Sequence, residues 1–233
     1  MSNSYANNNE YDSVSFLAIG DTPYSKKEEF DLNSKVIPTI KKSSYPFVVV
    51  YGDILQGGES CTNELLTKRL NTFYQIKKDR VFYTPGDNSW TDCDRLFKDK
   101  RFSELERLTY IRSFIISNKQ NPPKQWKYKQ QKELIENASW KYKEVQFATV
   151  HMVSTNNGRR EILKDDKNKA LNSVDARDEA NLQWLGKTFD DANKNNARAV
   201  IIVSQADVTK SKEKNICTKK NRVNCNPFKN FTH

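Results

Sequence analysis

Residues 80–95 read RVFYTPGDNSWTDCDR. An apolar, aromatic-rich run from Arg80 to Tyr83 meets a Pro-Gly breaker, and Asp87 and Asn88 come at once after it. A short run of β-branched and aromatic residues bounded by Pro and Gly reads as a strand, so this stretch sets a carboxylate just past a strand end. The pattern occurs twice upstream. Val14 to Ile19 runs into Gly20-Asp21-Thr22-Pro23-Tyr24, and Phe47 to Tyr51 runs into Gly52-Asp53-Ile54. Two later runs, Val145 to Val153 and Ala199 to Val203, also read as strands. The first carries His151 and leads to Ser154-Thr155-Asn156-Asn157-Gly158; the second leads to Ser204-Gln205-Ala206-Asp207.

Between these strands lie stretches long enough for helical crossovers. Arg177 to Asn195 sets Leu182, Leu185, Phe189 and Ala192 on one helical face, with Asp175 or a neighbour as its cap. Ser103 to Ser117 presents Leu105, Leu108, Ile111 and Ile115 at helical spacing, and a third helix is expected from Lys129 to about Ala138. Alternating strands and helices define an α/β fold. Sheets of this kind gather ligands beyond the carboxyl ends of their strands, which is where Asp21, Asp53 and Asp87 stand. A lone Gly-Asp after a strand is a tight turn, with Asp capping the next helix. Three in succession suit a hard divalent cation, which needs several convergent oxygens on a rigid scaffold.

The chain has 233 residues, 36% of them apolar and grouped in short blocks, which argues for one folded domain. We read that domain as residues 14–210, preceded by an extended or disordered segment at 1–13 and followed by a basic tail at 211–233, a divergence or a truncation. A formal net charge of +10 favours anionic partners such as phosphorylated small molecules. The Lys and Asn excess is dispersed, as in KDDKNKALN and DDANKNNAR, so no dedicated nucleic-acid groove is expected. No apolar run approaches the ~20 residues that cross a bilayer, and the opening residues lack the apolar stretch of a signal peptide. Cys217 and Cys225 bracket a short polar loop that a disulfide would staple, and the even number of cysteines fits a protein exported from the cytosol. The sequons at Asn137 and Asn230 are compatible with export but arise readily in an Asn-rich chain.

The ordered set GDTPY, YGDILQGGESC, PGDNSWTDCDR and SQAD resembles a branch of the calcineurin-like metallophosphoesterases, over roughly residues 14–207. The resemblance implies a β-sandwich core of mixed sheets flanked by helices, and two cations that activate water against a phosphoester. Such cations clamp the attacking and leaving oxygens and lower the pKa of a bound water. Matched by motif, Asp21 corresponds to the first metal-binding Asp, Asp53 to the bridging Asp, and Asp87-Asn88 to the Gly-Asn-His block. Pro23, Asn88 and Gln205 stand where the family has histidines, and its closing Gly-His-x-His element is absent. A set of oxygen donors suits Mg²⁺, Mn²⁺ or Ca²⁺ better than Zn²⁺.

The metal ligands expected on this reading are Asp21, Asp53, Asp87 and Asn88, with His151, Asn88 and Arg95 as catalytic candidates. His151 sits inside the apolar alternation Val150-His151-Met152-Val153, which equally suits a hydrogen-bonded residue on a strand face. Arg95 is placed to pair with a phosphate, or with Asp92 or Asp94. Asn156-Asn157-Gly158 is the composition of a turn. The implied fold puts Cys61 and Cys93 on loops along one rim, where a disulfide would join them. Two functions are open on this reading: a divalent-metal-dependent phosphoester hydrolase, or a catalytically inactive relative that acts as a secreted binding module.

Overall fold

The computed structural model describes residues 13–231; the segment expected at 1–13, apart from Ser13, and His233 lie outside them. Strands β1 (Leu17–Gly20), β2 (Val48–Gly52) and β3 (Val81–Pro85) form a parallel sheet in the order β1-β2-β3. A second sheet has the order β4-β5-β6-β7, from β4 (Lys129–Gln130), β5 (Ala138–Tyr142), β6 (Val145–Thr149) and β7 (Ala199–Val203). Its β4, β5 and β6 run antiparallel and β7 joins β6 in parallel, so the fold is α/β with one parallel and one mixed sheet.

The period-two alternation of β2 and β3 divides their side chains between two cores. Phe47, Val49 and Phe82 face the second sheet and meet Trp126, Trp140 and Phe147 in an aromatic layer. There the Trp140 ring stacks 4.0 Å from Phe82 and 5.4 Å from Phe147. Val48, Val50, Val81 and Tyr83 point the other way, onto the helices that cover the parallel sheet. Those are α2 (Ile37–Lys42), α3 (Asn63–Tyr74) and α4 (Glu104–Ser117), while α1 (Lys26–Asp31), which buries no residue, leads into α2 through a π-type turn at Leu32–Val36. Thr62 and Ser103 start α3 and α4 by accepting from the amides three residues on, at 3.2 and 3.1 Å. The crossover from β6 to β7 is α5 (Lys167–Lys194), capped by Asp166 through the Lys169 amide at 2.7 Å. It packs Trp184 against Val150, Met152, Ala206 and Phe228.

Three sequence expectations are corrected. The stretch from Lys129 to Ala138 is no helix but β4, a turn and the start of β5. Gln131 donates its amide to the Asn137 carbonyl at 2.9 Å, and its side-chain oxygen accepts from Asn137 Nδ2 at 2.8 Å. Residues six apart in an α-helix point in different directions and cannot pair so. The long helix begins at Lys167, well before Arg177, and Phe189 on its expected inner face is 50% exposed. Polar anchors choose the buried stripe: Arg177 donates to the Asn157 carbonyl and Asn181 Nδ2 to the His151 carbonyl at 3.0 Å. The fourth strand leaves its ladder after Thr149, because side chains replace strand partners there. Asn137 Oδ1 accepts from the His151 amide at 2.7 Å and Asn157 Oδ1 from the Val153 amide at 3.0 Å.

Both disulfides form. Cys61–Cys93 joins the loops after β2 and β3, with Cα atoms 5.7 Å apart. Cys217–Cys225 closes the tail, where Cys225 and Phe228 are buried, so this segment packs onto the domain. No helix among the described residues is long and apolar enough to cross a membrane.

Candidate metal centre at the strand tips

The registers align Gly20 with Tyr51 and Gly52 with Pro85, so β1, β2 and β3 end together and release their Gly-Asp segments at one edge. Asp21 takes a left-handed backbone (φ 46), and its Oδ1 accepts from the Asp53 amide at 2.9 Å. The Thr22 amide returns a bond to the Asp53 carbonyl at 3.0 Å, stitching the first two tips. Gly52 has φ +87, and a Cβ on it would lie 2.1 Å from Asp21 Oδ1; a Cβ on Gly86 would lie 2.2 Å from Asp53 Oδ1. Both glycines are required for the tips to approach this closely.

Asp53 and Asp87 form the centre of the cluster. The Asn88 amide donates to Asp53 Oδ1 at 2.9 Å and to Asp87 Oδ1 at 3.0 Å, which holds the two oxygens within about 6 Å of each other. Tyr24 Oη donates to Asp53 Oδ2 at 2.9 Å. Asp87 Oδ2 accepts from the hydroxyls of Ser154 and Thr155, the latter at 2.9 Å, and Gln205 Nε2 lies 3.4 Å from Asp87 Oδ1. The carboxylates are 3% and 6% exposed, and no Lys or Arg among the described residues pairs with either. Burial first, and the neighbouring Asp87 charge second, push Asp53 up to about 8. Burial and Asp53 together push the Tyr24 phenol far above its ordinary value.

Among the described residues no group of three or more His, Cys, Asp or Glu side chains is arranged to hold a metal ion. Asp21 gives its Oδ1 to the Asp53 amide, so Asp53 and Asp87, with the neutral oxygens around them, form the buried part of the candidate donor set. That donor set still fits one hard cation: Mg²⁺ is commonly held by one or two carboxylates with water completing its shell. Two adjacent buried carboxylates with which no Lys or Arg among the described residues pairs call for a cation or a shared proton.

The expected catalytic residues are scattered. Asn88 is at the centre through its backbone, while its Nδ2 donates to the Leu55 carbonyl at 3.3 Å. Arg95 stands near Asn88 across Gly57, with its guanidinium engaged by Asp92 and Glu161, each at 2.9 Å. His151 is fully buried, its Nδ1 2.6 Å from Glu136 Oε1 and its ring 5.3 Å from that of Trp90. Burial lowers its pKa to about 4, whereas the bond to His151 first and two bonds from Arg112 second, at 3.0 and 2.7 Å, hold Glu136 well below the usual carboxylate range against its own burial. None of the contacts of His151 reaches Asp53 or Asp87. Sequence reading overlooked Tyr24 and Glu136. Tyr24 lay within the GDTPY motif, but Glu136 was hidden inside a segment read as helix.

Comparisons with protein-family models, with curated proteins and with solved structures find no match to this chain.

Proposed function

We propose that this chain is a phosphoester hydrolase of the calcineurin-like metallophosphoesterase type, working with one hard divalent cation, Mg²⁺, Mn²⁺ or Ca²⁺, held by Asp53 and Asp87. One observation carries the reading: two buried carboxylates share the Asn88 amide, and among the described residues no Lys or Arg pairs with either, Arg95 and Lys98 attracting Asp87 and Asp53 only from beyond ion-pair distance. The order of the strand-tip motifs agrees with it. A bound cation would neutralise the pair and polarise a phosphoryl oxygen. Tyr24 fixes the orientation of Asp53, and Ser154 and Thr155 fix that of Asp87. Arg95 must exchange Asp92 or Glu161 for a phosphate oxygen in order to contribute. The two disulfides fit an oxidising compartment, and we place the protein outside the cytosol on that ground.

A second reading, a silent relative that binds a partner, draws on a separate observation. All four oxygens of Asp53 and Asp87 already accept from protein donors, and among the described residues no imidazole touches them to protonate a leaving group. Turnover of an aryl phosphate across Mg²⁺, Mn²⁺ and Zn²⁺ separates the two, with Asp53→Asn as control. Metal-dependent turnover that the substitution lowers by ~100-fold or more supports the hydrolase. Equal background in every sample supports the silent relative.

A further inference from the structure

A cavity of about 280 Å³ opens between the turn after β6 and the segment after β7. Its wall on the carboxylate side is Ser154 and Thr155, the two residues whose hydroxyls donate to Asp87 Oδ2. The cavity is therefore one side chain away from the proposed cation. Thr155 and Asn156 both take left-handed backbones, φ 55 and 56, which is unfavourable for a β-branched threonine. The bond to Asp87 holds Thr155 there, and Asn156 Nδ2 is tied to the Val223 carbonyl at 2.7 Å.

The remaining walls carry three cations, Arg160, Lys210 and Lys212, against two carboxylates, Asp207 and Glu213. Arg160 pairs with Glu213 at 2.8 Å and Lys210 with Asp207 at 3.3 Å, the Lys210 side chain being 86% exposed. The exposed Lys210–Asp207 pair contributes little, so an anion entering the cavity can take over Lys210, while the half-buried Arg160–Glu213 pair stays as the cavity wall. Lys212 is exposed as well.

We propose that this cavity is an anion subsite, and that the preferred substrate is a phosphoester whose leaving group carries a second phosphate. The reacting phosphoryl group would sit at Asp53 and Asp87 and the second one against Lys210 and Lys212. The substrate class rests on the hydrolase reading; anion binding by the cavity does not.

The test separates these two parts. Inorganic phosphate is titrated calorimetrically into metal-free protein, comparing wild type, Asp53→Asn and the double variant Lys210→Glu/Lys212→Glu. Wild type and Asp53→Asn should bind alike, and the charge-reversed protein should bind at least ~10-fold more weakly. Turnover of fructose 1,6-bisphosphate and of an aryl phosphate is then compared with Mg²⁺ or Mn²⁺. The bisphosphate should have the higher kcat/KM, and charge reversal should abolish that preference while leaving aryl phosphate turnover unchanged. Phosphate binding that is absent, that survives charge reversal, or that is lost in Asp53→Asn overturns the subsite. Equal kcat/KM for the two esters overturns the substrate class. Lysine-dependent phosphate binding without turnover of either ester overturns the hydrolase reading and retains the subsite.

Discussion

Asp53 gathers most of the electrostatic tension at the strand tips. It is buried, it faces Asp87, and its folded pKa of about 8 lies far above that of a free carboxyl group. In metal-free protein, Asp53→Asn removes a group that must either hold a proton or repel its neighbour, so it should raise Tm at pH 7.5 by calorimetry. Adding Mg²⁺ should raise Tm of the wild type and leave Asp53→Asn unmoved, because linkage needs a ligand that binds the native state. Gly52→Ala should behave oppositely: at φ +87, with Asp21 Oδ1 2.1 Å from the new Cβ, the change should cost about 1–3 kcal/mol in urea denaturation. The three aspartates were readable because each comes after an apolar run and a breaker. Ser154, Thr155 and Gln205 were readable as segments that follow later strands, but their bonds to Asp87 were not, since only the tertiary fold brings positions so remote in the chain together.

At the scale of elements, the segment between β4 and β5 shows how local pattern misleads. Residues 129–138 hold good helix formers, yet their buried polar side chains find partners only in an extended and turned backbone. Glu136 ends there between Arg112 and His151, fully enclosed. Glu136→Leu leaves Arg112 without its partner and should cost about 3–5 kcal/mol, measured by chemical denaturation; His151→Gln, which can retain one bond, should cost less. The strands themselves were legible because sheet burial writes apolar runs directly into sequence. The inner face of α5 was legible in part: Ala192 is buried and Leu185 packs inward as expected, but Phe189 is exposed and the polar Arg177, Asn181 and Thr188 complete the buried stripe.

For the molecule as a whole, pH dependence arises from several buried acids together. Burial raises Asp53 to about 8 and Glu104 to about 10, with nearby carboxylates adding to both, so the native state holds protons that the unfolded chain releases. Stability of metal-free protein should therefore increase as pH falls from 8.5 to 6.5. Below that range His151, with a native pKa lowered to about 4, opposes the trend because the unfolded chain takes up the proton first. A Tm that falls or stays flat from pH 8.5 to 6.5 would contradict these assignments. Replacing both Cys61 and Cys93 with Ala should lower stability by about 2–4 kcal/mol and loosen the loops that carry Asp53 and Asp87.

The crossover through α5 also bears on how the chain assembles. The parallel sheet and its helices are complete by Ser117, whereas β7 must pair with β6 from across the whole of α5. Pairings so distant in the chain close slowly. On a translating ribosome the carboxylate pair would therefore emerge and meet before Gln205 and the Cys217–Cys225 hairpin have been made, leaving the mixed sheet to finish around a half of the protein that already has its shape.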